Sequence, residues 1–458
     1  MLKTGDKKLI NAWAFYDWAN SVYSLVISTA IFPLFYSGMT SGKTISFLGT
    51  DWQNPESLYS YALSFSFLVV AFISPILSAI ADYTGNKKLF LKIFCWIGSL
   101  SVMSLYFFSD INKVWIGIVF SVLASIGFWG SIVFYNSYLP EVAFPEDQDR
   151  VSAKGFIYGY IGSVILLILC LVLVLFPQYF GYDISVDPTI LQLGTEAEIA
   201  KATEDAKNAA SLSAMRPCFL MVGLWWLGFA HVTFRRLPNN VFNKKPEKGI
   251  IWRGFRELKK VSKEVRAYPT LKGFLIAFFL LSVGVQTIIL MASIFGSDEL
   301  GLDSTGLIVT ILVIQLVAIA GASLFSRLSK KYGNFKALKI SLFIWMLVCF
   351  GAFSLHKDLP NVDVYFYALG GVLGLVLGAI QSLARSTYSK LLPATEDHAT
   401  YFSFFDVTEK IAIVVGTFTF GFLKSVTGSM QWSALSLALF FVASFLVLSF
   451  LKGTKHVR

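Results

Sequence analysis

Apolar residues fall into two sets of six long runs along this chain. The first set covers about 10–37, 57–81, 89–109, 113–137, 155–176 and 214–234; the second covers about 270–295, 305–328, 337–355, 363–387, 401–424 and 431–451. Each run is close to the ~20 residues an α-helix needs to cross a hydrocarbon core. The pattern predicts an all-α integral membrane protein, with twelve transmembrane helices in two six-helix bundles at 1–234 and 269–458. An internal repeat supports the halves. Gly85-Asn86 after the second run recurs as Gly333-Asn334 after the eighth, and Leu139-Pro140 after the fourth recurs as Leu392-Pro393 after the tenth. Repeated bundles with a site between them are the plan of secondary transporters.

Two connections are long. The segment 235–268 is basic, and Trp252, Phe255, Leu258, Val261 and Val265 recur in it at helical spacing. That predicts an amphipathic linker helix on the cytoplasmic leaflet, with a regulatory-partner site as the alternative. The segment 177–213 contains TEAEIAKATEDAKNAA, which predicts a short solvated helix on the opposite side.

Composition agrees with a membrane location. The 458 residues are 55% hydrophobic and 14% charged, whereas soluble chains carry about 25% charged residues. The net charge of +10 is mostly topology: one face collects 30 of the 38 Lys and Arg and the other seven, while Lys410 falls inside a run. By the positive-inside rule both termini are cytoplasmic, and no nucleic-acid partner is expected. The first run continues to about Tyr36 without a small-residue cleavage site, so a spanning helix is expected there and not a signal peptide. The four cysteines have no paired spacing and the four histidines are scattered, so no metal site or cofactor is expected. Without a GxxxxGK[ST] loop or a helical nucleophile–base pair, neither an ATPase nor another enzyme is expected.

Charged and amide side chains inside spanning helices usually face a cavity or a partner. Helix one carries Asp17, Asn20, Ser21, Ser24 and Ser28 as a polar stripe, flanked by Tyr16 and Tyr23. Asp17 is the leading candidate for proton or substrate work, with a fixed hydrogen bond to the neighbouring bundle as the alternative. Tyr135, Asn136 and Gln286 are further candidates for the lining. On helix eleven, Asp406 and Lys410 stand four apart and are expected to pair, leaving Glu409 to find another partner such as Arg385 or Lys154. Their depth suggests a gate. Gly370, Gly374 and Gly378, with Gly155 and Gly159, mark faces where backbones approach closely.

The turn Ser78-Ala-Ile-Ala-Asp82-Tyr-Thr-Gly85-Asn-Lys87-Lys88 resembles the signature between helices two and three of the major facilitator superfamily. It departs from it at Ser78, and Lys330 replaces the acid in the second copy. The resemblance implies a conformational latch at Asp82, Gly85 and Lys87. Longer stretches look like the autophagy-related vacuolar amino-acid effluxer branch, in the form of a bacterial-type member. They are Asn11–Tyr23, Tyr135–Glu141, Asp149–Gly155, Gly159–Gly162, Gln381–Tyr388 and Tyr401–Lys410. The family commonly has Gly where Ser403 stands and a small residue where Glu409 stands. The resemblance implies the major facilitator fold and a solute site lined by helices one, four, seven and ten. It further implies alternating-access transport of a small polar solute in a bacterial inner membrane, with amino-acid efflux and proton coupling as the finer expectations. A membrane sensor or scaffold, or a drug or metabolite exporter of the same fold, is the alternative.

Overall fold

The computed structural model describes residues 3–238, 250–302 and 304–451. Twelve of the described helices are long and apolar enough to span a membrane. The first six are Lys7–Thr40, Pro55–Thr84, Lys87–Phe107, Ile111–Val142, Gln148–Leu175 and Glu196–Phe234. The second six are Pro269–Glu299, Gly306–Tyr332, Asn334–Ser354, Val362–Leu391, His398–Thr427 and Met430–Phe450. They are called helices one to twelve below. Their ends carry ordinary signals: the Asp6 carboxylate accepts from the amides of Lys8 and Leu9, and Pro55 and Pro269 open helices two and seven. Gly85, at φ +69°, closes helix two in the left-handed conformation that a side chain would strain.

The buried apolar residues form two cores. One is built almost wholly from residues 9–237 and the other from 261–448. Outside them, Phe72, Phe418, Leu439 and Phe450 are among the large apolar side chains left exposed, as suits a chain whose solvent is lipid. The glycine stripes work inside each half. A Cβ at Gly374 or Gly378 would strike the backbone of helix eight, and one at Gly159 would strike Ser21 of helix one. Across the seam, helix two packs on helix eleven, and helix five on helices eight and ten.

Three features go beyond the hydrophobic pattern. Tyr23–Ile31 of helix one is π-helical, as is Phe295–Glu299 of helix seven. Wide turns of this kind are usually found at functional sites. Residues Ile45–Phe47 and Thr50–Trp52 pair as an antiparallel hairpin, turned by Leu48 and Gly49 at positive φ. The Ala-rich segment does not form a separate short helix but the start of helix six, which runs unbroken for 39 residues from a Thr195–Glu198 capping box. At 1.5 Å per residue that is about 58 Å, so its first turns project beyond a ~30 Å hydrocarbon layer.

Of the expected linker, residues 239–249 and the side chain of Phe255 lie outside the described residues. The described part is helical over Ile250–Ala267. Trp252 is exposed, but Val261 and Val265 are buried in the core of the second half instead of facing lipid. The helix lies against helix two and reaches helix eleven: Lys260 Nζ is 3.3 Å from Asp397, and Tyr401 Oη donates to Glu264 at 2.7 Å.

Candidate functional site

Between the two cores lies a cavity of about 300 Å³, lined by helices one, two, four, five, seven, eight, ten and eleven. The helix-one stripe of Asp17, Asn20, Ser21, Ser24 and Ser28 faces it, and Gln286, Gln315, Gln381 and Glu409 face it from the second half. Asn20 Nδ2, on the same stripe, is buried without a hydrogen-bond partner among the described residues. The expected four lining helices are joined by four more, because helices two, five, eight and eleven close the sides.

The floor is built on one side chain. Arg385 of helix ten uses all five guanidinium N–H donors. Nε donates to Ser152 Oγ at 2.9 Å and Nη2 to the Ser152 carbonyl at 2.8 Å. Both Nη atoms reach Asp17 Oδ2 at 3.3 Å, and Nη1 also donates to Asn136 Oδ1 at 3.2 Å. Each acceptor belongs to the other half. Tyr135 Oη donates to the same Asp17 oxygen at 2.8 Å, and the rings of Trp13, Tyr135 and Phe156 surround the guanidinium at 4.2–5.4 Å. Both charges of the Asp17–Arg385 pair are buried, with side chains 5% and 4% exposed. Gly155 makes room for them, since a Cβ there would fall 2.9 Å from Tyr135 Oη and 3.0 Å from Arg385 Nη2.

A second charged group borders the cavity on helix eleven. Lys410 Nζ pairs with Asp406 Oδ1 at 3.1 Å, as the i,i+4 spacing implied, and lies 3.4 Å from Glu409 Oε2. It also sits over the ring of Trp129 on helix four, 3.4 Å from the centroid. Glu409 accepts from Gln286 Nε2 at 2.7 Å. The expected partners for Glu409 are otherwise engaged: Arg385 with Asp17, and Lys154 as a donor to Asn11 Oδ1 at 2.5 Å. Asp406 Oδ2 is buried without a hydrogen-bond partner among the described residues.

Below the floor, polar crosslinks tie the halves together at the face carrying the basic turns. At the helix two–eleven corner, Asp82 accepts from the amides of Ala399 and Thr400 at 3.1 and 2.7 Å and from the Thr400 hydroxyl at 2.8 Å. A carboxylate at the free amides of a helix start is favoured by hydrogen bonding and by the helix dipole. Beside it Lys87 is ion-paired with Glu141, which also contacts His398 Nδ1 at 3.2 Å. At the helix five–eight corner, Asp149 takes Lys390 Nζ at 2.7 Å, Asn334 Nδ2 at 2.8 Å and the Ser329 hydroxyl.

A family model described as "Vacuole effluxer Atg22 like" matches residues 5–458. The chain belongs to this family. It is 31% identical to the uncharacterized MFS-type transporter YxiO of Bacillus subtilis, over 96% of this chain and 94% of that protein. It is 24% identical to autophagy-related protein 22-1 of Penicillium rubens, over 84% of this chain and 73% of that protein. Among solved structures, the major facilitator superfamily transporter FucP in the outward conformation superposes with a TM-score of 0.65. That match covers 98% of both chains at 14% identity. The Atg22-like chain is therefore a multi-pass membrane transporter of the major facilitator fold and not an enzyme.

Sequence reasoning about this Atg22-like transporter placed several groups well and others less so. Asp17, Asn20, Asn136 and Gln286 do converge on the cavity, and Tyr135 supports its floor from beneath. Tyr16 and Tyr23 do not line it. They flank the polar stripe on helix one and are packed against Tyr135 and Phe234 and against Phe128 and Trp226 respectively. Asp149 and Lys390 were missed as partners. Asp149 lay inside a recognised family stretch, but Lys390 looked like one more basic residue of an inner turn. Trp129 was missed because an apolar run gives no sign of which aromatic meets a cation.

Proposed function

We propose that this chain moves a small polar solute by alternating access, with residues 1–234 and 269–458 as the two moving bodies and 235–268 as the linker between them. One observation carries the reading: a cavity shared by both halves, with polar side chains from each set in an apolar wall, is sealed at one face by side chains that bond across the seam. The basic bias of that face supports a cytoplasmic position, with both termini inside and the chain in a bacterial inner membrane. The cavity then faces outward in this state. Release of the crosslinks would let it face inward, since a protein with two such states shifts between them by differential binding. Amino acids are the first solute class to examine, given the resemblance to vacuolar amino-acid effluxers, and efflux is the direction that resemblance favours.

Asp17 joins the solute site to the gate. In the closed gate its Oδ2 takes Tyr135 and both Nη atoms of Arg385, and opening would free that oxygen to take a proton. Asp17→Asn keeps the shape but cannot ionise. It should retain solute exchange in proteoliposomes while losing acceleration by a pH gradient. Intact acceleration would remove Asp17 as the proton site, and a chain that fails to fold would make the pair structural. Counterflow of radiolabelled amino acids into proteoliposomes tests transport itself, and a sensor or scaffold would show none. A cytoplasm-active reporter fused after Arg458 should give signal, whereas one inserted near Lys201 should not.

A further inference from the structure

We infer that the solute accepted by the cavity carries a net positive charge, a deduction that rests on the transport reading above and narrows its substrate class. Among the described residues, three charged side chains line the cavity: Asp17, Arg385 and Glu409. Asp17 and Arg385 are spent on each other in the floor, and all five donors of Arg385 are engaged. Glu409 is what remains. On helix eleven two carboxylates, Asp406 and Glu409, share the single ammonium of Lys410. That ammonium lies nearer Asp406, at 3.1 Å against 3.4 Å, and rests on the ring of Trp129. The cluster therefore holds one negative charge more than Lys410 can neutralise, and Glu409 is its carboxylate that lines the cavity.

The Glu409 side chain is 18% exposed to the cavity, so an occupant that displaces water there must replace its solvation, and one of opposite sign does so. The rest of the lining suits a cation. Phe67 and Phe128 offer ring surface, which attracts ammonium and guanidinium groups when water is excluded. Gln315 and Gln381 offer amide oxygens, and the serines of helix one offer hydroxyls. No lining cation is free to receive a carboxylate, so an anionic solute would add a second uncompensated charge. A zwitterion would bring its own carboxylate and leave the excess negative charge where it is. The fitting ligand is a small organic cation: an amine or guanidine, or an amino acid whose side chain makes it positive overall.

The test is a thermal-shift titration of the purified full chain at neutral pH with three sets of probes. Agmatine, choline and L-lysine methyl ester are cationic, L-leucine and L-glutamine zwitterionic, and L-glutamate anionic. The cationic set should raise the melting midpoint in a saturable way and the other two should not. Glu409→Gln should weaken the apparent affinity for those cations about tenfold to a hundredfold, the range expected for one charge-assisted hydrogen bond. Glu409→Asp, which keeps the charge, should recover part of it and serves as the control should the Gln variant fold poorly. Stabilisation by leucine or glutamate alone would overturn the inference. So would an unchanged response in Glu409→Gln, or a leucine response that appears only in acid and so assigns the missing charge to a proton. Counterflow separates the two levels. Exchange of leucine but not of agmatine keeps the transporter and discards the cationic substrate, whereas exchange of no probe discards both.

Discussion

Two corners of the basic face do the same work with different chemistry. Where helix two meets helix eleven, the acid sits at the end of the long helix and reads two backbone amides of its partner, while Lys87 beside it is ion-paired with Glu141. Where helix five meets helix eight, the acid has moved to the opposite partner. Asp149 lies in the first turn of helix five and draws in three side chains, one of them the buried Lys390. The repeat explains the exchange. In the second copy of the turn Lys330 stands where an acid would match Asp82, so the carboxylate comes from the other side of the seam. A helix start binds charge diffusely and gives it up gradually, whereas a buried ammonium demands a counter-ion. On the alternating-access proposal the first corner should yield and the second hold.

The largest effect should come from the corner that holds. Asp149→Ala leaves Lys390 buried and unpaired, and should destabilise the closed-gate state by about 3–5 kcal/mol. Adding Lys390→Met should restore most of the loss, read as the coupling in a double-mutant cycle of melting temperatures. Equal losses from the single and double variants would show that the ion pair is not what binds this corner. Next comes Gly155→Ala. Its methyl group would crowd Asp17, Tyr135 and Arg385 between the corners and should cost about 1–3 kcal/mol. Closed-gate crosslinking between cysteines introduced on helices five and ten should fall with it.

Asp82→Asn should be milder, about 1–2 kcal/mol, because one oxygen still accepts from helix eleven while the Nδ2 in place of the other meets a donor and the charge–dipole attraction is lost. Its signature is kinetic: turnover slows more than solute affinity falls, and lost affinity with normal turnover would contradict a latch. The smallest effect belongs to Glu141→Gln. That side chain is a quarter exposed, and its pair with Lys87 should contribute about 1 kcal/mol or less.

The fold was largely legible because a bilayer imposes a length on each apolar run and a sign on each turn. The same logic hid parts of the seam. Lys390 satisfied the positive-inside pattern so well that nothing marked it as the counter-ion of Asp149, and Arg385 could be read as reaching for the interface when it turns into the floor. The i,i+4 pairing of Asp406 with Lys410 was readable from spacing on a single helix. The partners of Glu409 were not, since Gln286 lies 123 positions away and meets it only after the half has folded. Helix six was read as two pieces because its first four turns carry the charges of a soluble helix, which hydropathy cannot join to an apolar continuation.

The floor around Arg385 has an electrical consequence. A membrane that stores a potential must not be short-circuited by its own carriers, and protons leak wherever a file of water can form. Here the guanidinium has no donor left over to orient such a file, and Trp13 and Tyr135, both fully buried, lie against it. On the proposed cycle this closed floor would insulate the membrane, and a proton leak would have to wait for Arg385 to let go.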